Sequence, residues 1–233
     1  VYKRQSDDYR RWRDRKLAGF TSDMDKLMVE IKNPHKITES EINLSSAIIN
    51  QSNLLFFELK EDNDDIKSSL IKLAKQFGMG NFEILESSEK SGLTKIEVSA
   101  ESKLKSEYVP YTNKSLNWHT DGYYNEANDP ILSWLLFCQS NSSSGGDNKF
   151  MDHEIAYILF NEQSENIRDL TDDKAFIIPE NIHSGRKAVS SYVFKLLDEK
   201  LHMRFSMRQK NIIWRDNIRE SVAVSYTHLR AHE

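Results

Sequence analysis

From Leu201 to Arg208 apolar and polar residues alternate without a break, Leu201, Met203, Phe205 and Met207 against His202, Arg204, Ser206 and Arg208. A period of two marks a strand with one apolar and one polar face, and the polar face reads as solvated. Leu54 to Leu59 and Ile131 to Cys138 are apolar runs of strand length, the first reading as a buried strand. Shorter strand candidates lie at Phe82 to Leu85, Thr94 to Ser99, Asn148 to Met151, Ala175 to Ile178 and Ser191 to Leu197.

Helical signals concentrate earlier. Thr38-Glu39-Ser40-Glu41 is a capping box, and the helix it opens carries Ile42, Ala47 and Ile48 before ending near Asn53. Asn63 is a candidate cap for a helix that places Ile66, Leu70, Leu73 and Phe77 on one face, with Gly78 as its stop. Asp152 is positioned to cap a helix burying Ile155, Ile158 and Leu159. Residues 7 to 32 read as helix or irregular surface. Their basic cluster, Arg10, Arg11, Arg13, Arg15 and Lys16 around Trp12, is diluted by Asp7, Asp8 and Asp14 and reads as a solvated face. Ser142 to Asp147 is a turn cluster too short to separate domains. The order predicts an α+β chain, helices first, then strands suited to a barrel or a double-sheet jelly roll.

Composition narrows the function classes. The formal charge is −4, with no extended basic stripe, so a nucleic-acid partner is not expected. No apolar run approaches the roughly 18 residues of a membrane span, so no membrane partner is expected. The one cysteine, Cys138, excludes an internal disulfide and suits a reducing cytoplasm. Its apolar surroundings, Trp134 to Phe137, predict a buried structural thiol. Residues 1–5 and 224–233 resemble a sequencing adapter translated in opposite orientations. The expected organisation is therefore one partial domain at 6–223 between foreign ends, which sets aside His228 and His232.

The chemistry concentrates in Asn117-Trp118-His119-Thr120-Asp121-Gly122-Tyr123-Tyr124. In an extended segment residues i and i+2 point the same way, so His119 and Asp121 present an imidazole and a carboxylate to one ion. One more histidine completes the 2-His-1-carboxylate facial triad of non-haem Fe(II) sites. By itself His-x-Asp is also a common surface-loop tripeptide. The surroundings decide between the two. This stretch, the apolar run after it, Gly145-Gly146-Asp147-Asn148 and Asp152-His153-Glu154-Ile155-Ala156-Tyr157 together resemble the taurine dioxygenase (TauD/TfdA-like) family in order and spacing. The resemblance runs from about Asp25 to the end of the insert and is sharpest over 117 to 157.

The resemblance implies a double-stranded β-helix, a jelly roll with helices outside, whose C-terminal strands are missing here. It implies an oxidoreductase that uses Fe(II), with 2-oxoglutarate and O2 as co-substrates. Such enzymes hydroxylate or oxidatively cleave a small organic substrate and release succinate and CO2. Carried onto this sequence, His119 and Asp121 are the first two metal ligands. Asn148 stands where relatives often have the threonine that hydrogen-bonds 2-oxoglutarate. Asn117, Tyr123 and Arg204 are candidate substrate contacts, and Trp118 reads as packing. The family also needs a distal histidine and, about ten residues later, an arginine for 2-oxoglutarate. Leu201-His202-Met203-Arg204 imitates that pattern, but only 83 residues beyond His119 (202 less 119), which is short. His183 is a second rival, in what reads as a surface turn, and His153 reads as structural. The third ligand is expected past residue 223, which leaves this chain with little turnover. The alternative is a non-catalytic, cupin-like jelly roll that binds a small molecule.

Overall fold

A computed structural model of the chain describes residues 6–60, 65–82, 91–98, 109–163, 167–182, 185–208, 212–216 and 218. In chain order its elements are α1 (Asp7–Ala18), β1 (Met28–Ile31), α2 (Glu39–Ser52), β2 (Phe56–Leu59), α3 (Ile66–Gln76), α4 (His153–Gln163), β3 (Phe176–Ile178), β4 (Val189–Ser191), β5 (Phe194–Leu197), β6 (Lys200–Met203) and β7 (Ile213–Trp214). They fall into two compact units, Thr21–Leu116 and Val1–Phe20 with Asn117–Glu233. The chain mixes helices with small sheets. Among the described residues no helix is long and apolar enough to cross a membrane.

In the unit Thr21–Leu116, β1 and β2 pair in parallel, Met28 opposite Phe56 and Ile31 opposite Leu59, with α2 in the connection. The capping box forms as the sequence predicts, and Asn53 closes α2 in the left-handed conformation, φ 52°. Asn63 lies outside the described residues; the side chain that caps α3 is Asp65, which accepts from the Ser68 N–H at 3.1 Å. Leu70 and Leu73 are buried, and Gly78 follows α3 with φ 81°. The short strand β1 has no counterpart among the sequence-based expectations. β2 is only half-buried rather than a core strand. Thr94 to Val98 forms no strand and leaves Ile96 and Val98 exposed; Ser99 and Leu85 lie outside the described residues.

In the other unit β3 pairs antiparallel with β4 on one side and β7 on the other, while β5 and β6 form a separate hairpin. The core gathers Tyr157 and Phe160 of α4, Phe176 of β3, Phe194 of β5 and Phe205. Tyr157 and Phe194 meet edge to face with ring centres 5.2 Å apart, the geometry aromatic quadrupoles favour. Asp152 caps α4 as predicted, accepting from the Glu154 N–H at 2.9 Å.

The basic cluster of α1 is not simply a solvated face. Lys16 is buried, its Nζ 2.6 Å from a carboxylate oxygen of both Asp152 and Glu154. Arg13 and the Tyr9 hydroxyl both donate to Glu162 Oε1, at 3.1 and 3.0 Å. These contacts and the Trp12–Tyr157 ring pair, 5.9 Å apart, dock α1 on α4. Arg10 and Arg11 do remain at the surface, paired with Asp7 and Asp8.

Four further expectations are corrected. Ile131 to Cys138 and Asn148 to Met151 join no ladder, so Leu132, Trp134 and Leu136 are exposed, Trp134 resting against Phe150. Cys138 is exposed rather than buried, and its thiol donates to Asn141 Oδ1 at 3.2 Å. The stretch Ser191 to Leu197 breaks into two strands of different sheets, β4 and β5.

Candidate metal site

Two distant segments build the site. Trp118 to Thr120 runs antiparallel to Phe205 to Met207: Met207 N–H donates to the Trp118 carbonyl at 3.0 Å and Thr120 N–H to that of Phe205 at 2.9 Å. His119 is thereby the bridge partner of Ser206. The extended backbone that this pairing enforces is what puts residues 119 and 121 on one side. His119 Nε2 lies 3.7 Å from Asp121 Oδ1, too long for a hydrogen bond. Two cis ligands of one ion, each at about 2.1 Å, stand roughly 3 Å apart, so a small closure would seat an ion between them.

The tautomer of His119 follows from its other nitrogen. Nδ1 is 2.7 Å from the Asn117 carbonyl oxygen, which can only accept, so Nδ1 carries the proton. In the neutral ring the Nε2 lone pair then lies beside the Asp121 carboxylate. A backbone carbonyl that fixes the far side of a ligating histidine is a standard orienting device in metal sites. This donor set, one imidazole nitrogen and one carboxylate oxygen, fits a divalent ion such as Fe(II). Among the described residues no third histidine, cysteine, aspartate or glutamate joins it.

Gly122 makes the turn that follows. Its φ is 64°, and a Cβ there would run into the Ile131 side chain, so no other residue fits without strain. Beyond it Tyr123 is buried in the core, edge-on to Tyr124 with ring centres 5.2 Å apart. Trp118 packs against the same core, as expected.

The remaining sequence candidates sit in different surroundings. Asn117 is exposed and serves the site through its carbonyl. Asn148 is exposed, and its amide donates to the Gly146 carbonyl at 3.2 Å, with no hydrogen bond to His119 or Asp121. His202 has both ring nitrogens engaged: Nε2–H donates to the Ile131 carbonyl at 3.0 Å, and Nδ1 accepts from the Tyr192 hydroxyl at 3.2 Å. That leaves no lone pair for a metal. His183 lies outside the described residues. His153 opens α4 and hydrogen-bonds the Leu201 carbonyl at 2.7 Å.

Arg204 is not on a solvated strand face. It is 1% exposed, and β6 ends before it, at Met203. Its guanidinium donates to Ser191 Oγ and to the carbonyls of the turn that follows Asp121. Thr120 and Phe205, whose mutual bonds hold the His119–Asp121 segment, carry no motif that marks them in the sequence. The only hint in sequence was the alternation after Leu201, which marks a strand without naming its partner.

Residues 14–189 match the family described as "Taurine catabolism dioxygenase TauD, TfdA family". The chain belongs to the TauD/TfdA family. Its members are in general Fe(II)- and 2-oxoglutarate-dependent dioxygenases, acting on small molecules with O2. The matched stretch holds His119, Asp121, Asn148 and His183, and stops before His202 and Arg204. No curated protein and no solved structure matches the chain.

Proposed function

We propose that this TauD/TfdA chain carries two ligands of an Fe(II) site, His119 and Asp121, in a dioxygenase that hydroxylates or oxidatively cleaves a small organic substrate and releases succinate and CO2. The observation that carries the reading is the pairing of His119 Nε2, its tautomer set by the Asn117 carbonyl, with Asp121 Oδ1 3.7 Å away. The fold proposed for the complete domain is a double-stranded β-helix.

Bound iron would supply the coupling of 2-oxoglutarate decarboxylation to oxygen activation. The chain's own residues bind and orient. The ladder to Phe205 and Met207 holds His119 in place, and Gly122 turns the chain away so that Asp121 faces the same space. Asn148 supplies an amide suited to a 2-oxoglutarate carboxylate, as a donor in place of a threonine hydroxyl.

The test is Mn(II) or Fe(II) binding to the whole chain, followed by paramagnetic resonance or calorimetry. The expected result is weak binding, because two protein ligands hold a divalent ion poorly, and its loss in both His119→Ala and Asp121→Ala. Succinate formation with Fe(II) and 2-oxoglutarate should stay near background. Turnover at an ordinary enzyme rate would show a third donor within this chain. Metal uptake indifferent to both substitutions would sink the site, and small-anion binding without any metal would point to a cupin-like binding protein.

A further inference from the structure

We propose that Arg204 is the positioning residue of the His119–Asp121 site, fastening the turn that carries Asp121 to the core rather than meeting a substrate. The inference rests on the metal reading of that pair. One Arg204 nitrogen, Nη2, donates to three carbonyls of the turn directly after Asp121, those of Gly122 at 3.4 Å, Asn125 at 2.8 Å and Glu126 at 2.9 Å. Nη1 donates to Ser191 Oγ of β4 at 2.8 Å, and the guanidinium lies 5.7 Å from the Tyr192 ring centre. The Arg204 backbone N–H is held by the Val193 carbonyl at 2.8 Å.

The next residue in the chain, Phe205, is the one bonded to Thr120. Residues 204 and 205 therefore grip the segment at its middle and just past its end, Phe205 at Thr120 between the two ligands and Arg204 on the turn after the second. At 1% exposure both terminal nitrogens are occupied, and the one unpartnered donor of the guanidinium, Nε–H, is buried away from solvent. Burying a cation against neutral carbonyls is a costly way to fill space. An apolar side chain would fill it more cheaply but would take the donor from the Asn125 carbonyl and one of two donors from those of Gly122 and Glu126, which also accept from the Asn125 and Asp129 N–H groups. The planar fork of arginine reaches several acceptors at fixed angles, which a lysine cannot.

The test compares Arg204→Met and Arg204→Lys with Leu73→Ala, a core substitution in the other unit, all in the whole chain. Two quantities are read: amide hydrogen exchange over Gly122 to Glu126 without metal, and the Mn(II) dissociation constant. The proposal expects Arg204→Met to speed that exchange and weaken Mn(II) at least tenfold. Arg204→Lys should fall in between, and Leu73→Ala should lower the thermal midpoint while moving neither. If Arg204→Met does not fold, Arg204→Lys, which keeps charge and bulk, carries the comparison. Unchanged exchange at the turn, or faster exchange with unchanged Mn(II) affinity, overturns the proposal. Failure of the metal reading shows differently: the wild-type chain then takes up no Mn(II), while exchange still reports whether Arg204 holds the turn.

Discussion

Thr120 and Phe205 are bonded to each other twice, Thr120 N–H to the Phe205 carbonyl at 2.9 Å and Phe205 N–H to Thr120 Oγ1 at 3.1 Å. Thr120 sits between the two proposed ligands, so this pair of hydrogen bonds sets the height of both. Thr120→Val keeps the shape and removes only the hydroxyl acceptor. Phe205 is 3% exposed, so water cannot easily replace the lost partner of its N–H. An unsatisfied buried donor costs about 1–3 kcal/mol. The expected outcome is a loss of stability in that range, measured by urea unfolding, together with weaker Mn(II) binding. An unchanged unfolding midpoint would show that the hydroxyl bond contributes nothing.

Gly122→Ala should be worse. The residue has φ 64°, and the added methyl meets the Ile131 side chain. The backbone strain is about 1–2 kcal/mol, and relief of the clash must move either Ile131 or the turn. Because the turn begins at Asp121, the substitution should lower both the thermal midpoint and metal affinity. A paired Gly122→Ala, Ile131→Ala variant tests the cause: it should recover part of the affinity if the clash displaces Asp121, and none if the backbone conformation alone is at fault.

What was legible in the sequence was mostly local. The Thr38–Glu41 box and the Asn53 end of α2 are set by residues within a turn of one another, and both form as read. His119 and Asp121 come together because i and i+2 share a face, again a local rule. The surroundings of the site depend instead on pairings across some 70 to 85 residues, such as His202 with Ile131 and Arg204 with Gly122. A period of two says that a strand has a polar face but not what covers it. The face read as solvated is buried at Arg204 and Ser206, each 1% exposed, half-buried at His202 and open at Arg208. Ile131 to Cys138 fails for the same reason in reverse, since an apolar run of strand length does not name a neighbour.

The exposure of Cys138 gives a simple check on that segment. Its thiol should react with a disulfide reagent in the native state within minutes and without denaturant, since access is a main determinant of thiol reactivity. Reaction only after unfolding would mean that the apolar run is covered and the thiol buried.

Glu41 ties the start of α2 to β1. Its carboxylate accepts from the N–H groups of Lys32 at 2.9 Å and Thr38 at 2.7 Å and from the Thr38 hydroxyl at 2.5 Å. Burial pushes its pKa up, but these hydrogen bonds outweigh burial and hold the carboxyl below its ordinary value. The stabilisation is therefore complete above the unfolded pKa of about 4.3 and is lost as pH falls through the lower folded value. Glu41→Gln should destabilise by about 1 kcal/mol at pH 7 and flatten the loss of stability below pH 5. Parallel acid-unfolding curves for the two proteins would show that Glu41 does not couple to the fold.

His202 makes a linkage of the same sign at higher pH, though here the fold disfavours the charged form. Burial lowers its pKa, and so do the charge of Arg204 and the proximity of His153, against the raising effect of its hydrogen bond to the Ile131 carbonyl. The folded chain thus resists a proton that the unfolded chain accepts near pH 6.5. Between those two values the unfolded state binds more protons, so stability falls as pH drops below neutrality and levels off once the folded form also titrates. Protonation would also put a second cation next to the Arg204 guanidinium that holds the Gly122 turn. Urea midpoints at pH 7.5 and 5.5 should therefore differ more in the wild type than in His202→Gln, which cannot titrate. Glu41 contributes little to that difference, because its window lies lower. An equal shift in both proteins would mean that His202 carries none of the pH dependence, and that the Tyr192 and Ile131 bonds tolerate the imidazolium.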